Sequence, residues 1–372
     1  MKTLVLSCNT GEGHNSCANA IKETFESYGE ECRIEDSLKF ISEKTSEFIS
    51  GWHVRIYRYI PNLFRFGYRF AENHSSEKAD KSGFLTSQKK GTDCLFHFIR
   101  AGNYDTVICT HVFSALMLTD VLKKHKLSIK TAFIATDYTC SPGVKESCLD
   151  EYFIPDDSLI KDFECPNIPK NKMKASGIPI RKMFLSRLEK DGAKKLFDIP
   201  SDHKHLLIMC GSMGCGPIFR LAHELSDRLP SDCDLTIVCG TNAKLKEKLE
   251  KKYSGFENIH IRGYVQDMSA LLDSADLYLT KPGGISITEA ASKALPMVFV
   301  DAVAGCEEYN RRYFTQKKAA ADGSGVKEIA DICIEILSGE DKRRNMSLAF
   351  ADEQKKSAAE CIYFEMKTLR AV

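Results

Sequence analysis

The stretch "TKPGGISITEAASKALPM" (residues 280–297) holds a strand end, a turn, a helix and the start of another strand. The apolar run "ADLYLT" (275–280) leads into it and reads as a strand. Pro282 ends that strand, because proline has no N–H to give to a ladder. Gly283 and Gly284 open a helix whose core covers 286–294, and "PMVFVD" (296–301) reads as the next strand. Two strands joined through a helix form a βαβ unit, which requires a parallel sheet.

The same rhythm extends in both directions. Towards the centre of the chain lie "KHLLIMCGS" (204–212), "DLTIVCG" (234–240) and "NIHIRGYV" (258–265), separated by helical patterns such as 243–252. Nearer the start lie "KTLVLSC" (2–8), "ECRIEDSL" (31–38), "YDTVICTH" (104–111), "KTAFIATD" (130–137) and "DEYFIPDD" (150–157). Continuous apolar runs between helices indicate parallel sheets buried on both faces. Two such sets predict two doubly wound α/β domains, with ligands at the strand C-termini around a central cleft. Pro166, Pro169 and Pro179 cluster at the join, and proline suits an extended connector. The expected division is a first domain over 1–176, a second over 177–345, and a C-terminal helix over 346–372 that packs back on the first.

Composition narrows the function. The 372 residues are 43% hydrophobic and carry a formal net charge of +1, so no global field recruits nucleic acid. The fifteen cysteines form no CxxC pair and no cluster with zinc spacing. They read as buried free thiols in a reducing cytosol. No apolar run reaches the ~18 residues of a membrane span, and the N-terminus reads as a strand rather than a signal peptide. No DxD motif stands out: Asp156–Asp157 and Asp232-x-Asp234 read as turns.

Several residues at strand ends could do chemistry. Paired glycines at 283 and 284 let backbone N–H groups approach an anion, and the helix start adds partial positive charge. That suits a diphosphate. Glu289, one turn in, could accept from ribose hydroxyls, or it could close a capping box with Ser286. "CGSMGCG" (210–216) is a second glycine loop after a strand, without the lysine of a P-loop. Glu307, Glu308 and Asn310, in "DAVAGCEEYN" (301–310), read as a loop able to bond sugar hydroxyls, or as a solvated acidic turn. In "SCNTGEGHNSCANAI" (7–21) a glycine-rich turn delivers His14 to the start of a helix, where it is either a base or a polar residue of the first turn. His111, ending "TVICTH", is placed equally well as a base, and Asp137, ending "AFIATD", could orient a histidine or cap its strand.

Together these stretches resemble the glycolipid-forming glycosyltransferases: the plant monogalactosyldiacylglycerol synthases and the bacterial processive diacylglycerol glucosyltransferases. The resemblance rests on "KPGGISITEAASKALPMVFVDAVAGCEEYN", "SCNTGEGHNSCANAI", "CTHVFSAL", "ATDY" and "GIPI", in that family's order along the chain. It implies a GT-B fold, two Rossmann-like domains with the nucleotide in the second. It also implies an inverting transfer from a UDP-sugar that needs no metal and no other cofactor. On that basis Gly283, Gly284 and Ile285 would cradle the diphosphate and Glu289 the ribose. Glu307, Glu308 and Asn310 would meet the sugar. Tyr264 and Val265 would flank the uracil, and the loop with Gly211, Ser212, Met213 and Gly214 would close over the donor. His14 would deprotonate the acceptor; Asp137 could orient a histidine or bind the acceptor, and His111 stays the rival base by its place at a strand end.

The run "FISGWHVRIYRYIPNLFRFGYRF" (48–70) has no acid and contains the single tryptophan, Trp52. Arg55, Arg58, Arg65 and Arg69 alternate with aromatic residues such as Phe64. Arginine interleaved with aromatics suits an anionic membrane surface, at ~1 kcal/mol per basic residue. A packed helix or a single-strand nucleic-acid platform are the plainer alternatives. The expectation is a peripheral enzyme on the cytoplasmic face, acting on a lipid, with no nucleic-acid partner. A UDP-N-acetylglucosamine 2-epimerase-like enzyme, or a transferase with another acceptor, is the alternative.

Overall fold

A computed structural model describes residues 1–9, 12–41, 83–300, 305–350 and 357–369, with the side chains of 83–90 left out of the description. The chain divides into two compact units. The first takes the described residues up to Lys182 together with those of the C-terminal helix, and the second takes those of 183–300 and 307–350.

The first unit is built on strands β1 (Lys2–Ser7), β2 (Glu31–Asp36), β3 (Thr106–Cys109), β4 (Lys130–Ile134), β5 (Glu151–Ile154) and β6 (Met173–Ala175). Among the described residues its helices are α1 (Glu12–Ser27), α2 (Gly83–Ala101), α3 (Val112–Lys124) and the short α4 (Ile160–Phe163). The strand order is β2-β1-β3-β4-β5-β6, and every pair is parallel. Chain order reverses direction between β1 and β3, so the switch point of this sheet lies at their C-terminal ends. Val5, Ile108 and Ala132 fill the sheet centre without exposure. α1 covers one face through Cys17, Ala18, Ile21 and Phe25, a stripe at helical spacing.

The second unit repeats the plan with β7 (Lys204–Met209), β8 (Cys233–Val238), β9 (Ile259–Arg262), β10 (Leu277–Thr280), β11 (Met297–Phe299) and β12 (Ala320–Asp322). Its helices are α5 (Lys190–Lys195), α6 (Ile218–Ser226), α7 (Ala243–Tyr253), α8 (Met268–Ser274), α9 (Gly284–Ser292), α10 (Cys306–Gln316), α11 (Val326–Ser338) and α12 (Glu340–Leu348). The order β12-β11-β10-β7-β8-β9 is the six-stranded Rossmann arrangement, with its switch point between β7 and β10. The last helix, α13 (Ala358–Thr368), packs on α1, where Tyr363 stacks on Tyr28 at 4.3 Å between ring centroids.

Every apolar run read as a strand is one. The edge strands β6 and β12 carry no signal in the sequence: "MKA" and "AAD" are three residues long and pair on one side only. Asp234 is a correction. It does not sit in a turn but lies buried in β8, where its carboxylate meets His203 and His260, each at 2.7 Å. A buried carboxylate needs such partners. Asp156 does serve a turn, accepting from the Ser158 amide at 2.9 Å.

All fifteen cysteines are free thiols; eight are buried, five are half-buried, and Cys94 and Cys148 are exposed. Burial pushes the Cys32 thiol up to about 12, so it is not a nucleophile near neutral pH. Among the described residues no helix is long and apolar enough to cross a membrane.

Candidate active site

In the second unit two glycine elements meet at the switch point. The loop after β7 takes left-handed backbone at Gly211 (φ 72°), Gly214 (φ 56°) and Gly216 (φ 113°). It is tied to the end of β8: the Thr241 amide donates to the Ser212 carbonyl at 2.9 Å, and the Asn242 side-chain amide donates to the Gly214 carbonyl at 3.0 Å. The fit is close enough that a Cβ at Gly214 would lie 2.1 Å from the Cys239 carbonyl oxygen, whereas one at Gly211 would meet open space.

This contrast gives a prediction. Left-handed backbone costs a non-glycine residue ~1–2 kcal/mol. Gly211→Ala pays only that, while Gly214→Ala must also push the β8 end away. Gly214→Ala is expected to lower the melting temperature by about 4–8 °C, at roughly 2–4 °C per kcal/mol for a chain of this size. Gly211→Ala should lower it by about half as much. Thermal unfolding followed by circular dichroism checks both.

Beside this loop, β10 ends at Thr280 and α9 begins. The helix N-cap is Gly283, with no side-chain cap. The capping-box reading therefore fails: Ser286 lies inside the helix, so Glu289 is not engaged in a box with it. Gly283 itself offers the first amides of α9 no capping side chain, a condition under which a helix start can bind an anion. Lys281 stands between the two elements, its Cε 3.4 Å from where a Cβ of Gly216 would be. This lysine lies inside the motif at 280–297. The signal was a cation two residues before paired glycines, as opposed to within the loop where a P-loop would carry it.

Glu307 and Glu308 lie in the first turn of α10 rather than in a loop. Glu307 is buried, Glu308 half-buried. Asn310 is fully buried, and its amide donates to the Pro282 carbonyl at 2.9 Å, so α10 braces the turn that starts α9. Tyr264 follows β9 and is 72% exposed, and Val265 is half-buried.

In the first unit both histidines reach the switch point. His14 lies in the first turn of α1 and its Nδ1 is 2.8 Å from the Thr110 carbonyl oxygen, just past β3. Thr136, past β4, brings its hydroxyl to 3.2 Å from the same nitrogen. His111 is the N-cap of α3, its Nδ1 accepting from the Phe113 amide at 3.1 Å. The two rings stand edge to face with centroids 4.6 Å apart. Asp137 directly follows Thr136 and is half-buried. Thr110 and Thr136 were not singled out in the sequence, because a threonine at a strand end is ordinary. Trp52, Arg55, Arg58, Phe64, Arg65 and Arg69 lie outside the described residues.

Residues 14–180 match the monogalactosyldiacylglycerol (MGDG) synthase model, and residues 205–361 match the glycosyltransferase family 28 C-terminal domain. Together the two matches span most of the chain and mark it as a glycosyltransferase. The two matches divide the enzyme much as the two sheets do, with one switch point in each. Among its relatives is a processive diacylglycerol beta-glucosyltransferase of Bacillus pumilus, 27% identical over 93% of this chain and 89% of that one. Another of that description, from Staphylococcus saprophyticus, is 25% identical over 85% and 79%.

Solved structures of the same fold include MurG of Acinetobacter baumannii, with a TM-score of 0.64, 12% identity and coverage of 99% of this glycosyltransferase and 100% of that chain. A UDP-GlcNAc 2-epimerase of Neisseria meningitidis has the same TM-score at 14% identity, covering 99% and 100%. At such identities the likeness establishes the GT-B fold, which transferases and epimerases share.

Proposed function

We propose that this glycosyltransferase moves a hexose from a UDP-sugar to diacylglycerol or a glycolipid built on it, with inversion, at the cytoplasmic face of a membrane. The observation that carries the donor half is the convergence at the second switch point of the uncapped α9 start, the Gly211–Gly216 loop and Lys281. Amides at a helix start and one cation match the charge of a diphosphate. Tyr264 offers an exposed aromatic face for the uracil, and the half-buried Glu289 a carboxylate for the ribose. The lipid acceptor follows from what the curated relatives are described as glycosylating. The membrane surface follows from the aromatic–arginine run at 48–70.

The chemistry is a single displacement. The acceptor hydroxyl attacks the anomeric carbon as His14 takes its proton, and the bond from that carbon to the phosphate oxygen breaks. The electron pair leaves with UDP, whose developing charge is met by the α9 amides and Lys281. On this reading no metal is required.

The test supplies UDP-glucose, UDP-galactose and UDP-N-acetylglucosamine in turn to the protein with vesicles containing diacylglycerol and anionic phospholipid. Mass spectrometry should find diacylglycerol heavier by one sugar residue with one of the three. Transfer only to a soluble acceptor, or conversion of the nucleotide-sugar without any glycosylated product, would overturn the proposal.

A further inference from the structure

We infer that Thr136 is a positioning residue for the base, and that His111 is kept out of the base role by the helix it caps. The inference rests on the reading of His14 as the base and assigns the proton on each ring.

A carbonyl oxygen can only accept a hydrogen bond. Because Nδ1 of His14 lies 2.8 Å from the Thr110 carbonyl, that nitrogen is the donor. In the neutral ring the lone pair is then on Nε2. The Thr136 hydroxyl oxygen, 3.2 Å from the same nitrogen, takes a second share of that N–H. The Thr110 hydroxyl in turn donates to the backbone carbonyl of His14 at 3.3 Å. The ends of β3 and β4 therefore hold both the ring and its backbone.

His111 is fixed the other way round. An amide N–H can only donate, so the bond from Phe113 at 3.1 Å requires an unprotonated Nδ1 on His111. Its neutral ring carries the proton on Nε2. Two imidazoles 4.6 Å apart, with planes at 85°, thus have opposite tautomers. To act as a base through Nδ1, His111 would have to surrender the cap of α3.

In the step this serves, the acceptor O–H proton passes to Nε2 of His14, the oxygen lone pair forms the new bond to the anomeric carbon, and the bond from that carbon to the phosphate oxygen breaks, its electron pair leaving with UDP. The ring becomes imidazolium, with its Nδ1–H still directed at the Thr110 carbonyl and the Thr136 hydroxyl. Both bonds strengthen when the donor is charged. Thr136 therefore does more in the transition state than in the resting enzyme.

The experiment has a spectroscopic arm and a kinetic arm. In protein labelled with 15N-histidine, long-range proton–nitrogen correlations at a pH where both rings are neutral should show His14 protonated on Nδ1 and His111 on Nε2. The reverse assignment for His14 would overturn the inference. In the UDP-sugar transfer assay, Thr136→Val should lower kcat by about tenfold, a part of the 10²–10⁴ that general-base catalysis supplies. KM for the UDP-sugar should not change. Thr136→Ser, which keeps the hydroxyl, should restore most of the rate. Wild-type kcat in Thr136→Val, or equal losses in both variants, would remove the positioning role. His14→Ala turning over at the wild-type rate would instead remove the base reading beneath it. Loss in Thr136→Val alongside an inactive His14→Ala sustains both.

Discussion

Replacing His14 by alanine is expected to lower kcat by a factor of about 10²–10⁴, while the affinity for UDP stays at its wild-type value. The expectation comes from what the ring touches. Its contacts include Thr110, Thr136 and His111, all at the switch point of the first sheet. The residues assigned to the nucleotide belong to the second unit. A loss confined to kcat marks an interaction made in the transition state. Titration calorimetry with UDP, set beside steady-state rates, separates the outcomes. A parallel loss of UDP affinity would make His14 part of the donor site or of the fold.

The second large effect concerns stability. Lys293, just after α9, and Asp273, on α8, form a pair at 2.8 Å with side chains only 1% and 4% exposed. Each also holds the chain that opens the second unit. The Lys293 ammonium donates to the Ser186 carbonyl, and the Asp273 carboxylate accepts from the Leu188 amide at 3.1 Å. Ser269 and Ser292 donate to the Met183 and Phe184 carbonyls at 2.7 and 3.1 Å. This segment has little regular structure of its own, so its backbone groups depend on such partners.

Lys293→Met leaves a buried carboxylate without its cation, and should destabilise the protein by about 3–5 kcal/mol in urea denaturation. Adding Asp273→Leu removes the stranded charge and should recover part of that loss. The Leu188 amide still goes unpaired in the double variant, so recovery is incomplete. A single variant within about 1 kcal/mol of wild type would show that the pair is solvated and carries no such weight.

The parts of the molecule that were legible in the sequence are those governed by local pattern. Parallel strands buried on both faces read as apolar runs whatever surrounds them, and turns at strand ends advertise themselves with glycine. The motif at 280–297 therefore announced both the fold and the mouth of α9. β6 and β12 escaped because a short edge strand is defined by its neighbour and not by its own residues. Glu307 and Glu308 open a helix where their sequence predicts a loop, because acidic residues suit a loop and a first helical turn equally well.

The division of labour between His14 and His111 was out of reach for a different reason. Each histidine follows a strand, and strand logic ranks them equally. What separates them is a carbonyl ninety-six positions from His14 and an amide two positions from His111. Ring protonation is decided by those two partners, and only the folded sheet brings the first of them into range. Lys281 is a milder case: it was in plain view, but its proximity to Gly216 depends on β7 and β10 lying side by side.

The most direct test is a crystal structure of the protein with UDP. The account predicts the two phosphates against the backbone amides of Gly284 and Ile285, the Lys281 ammonium on one of them, and the uracil beside Tyr264. A nucleotide bound anywhere else, with the start of α9 left empty, would contradict it.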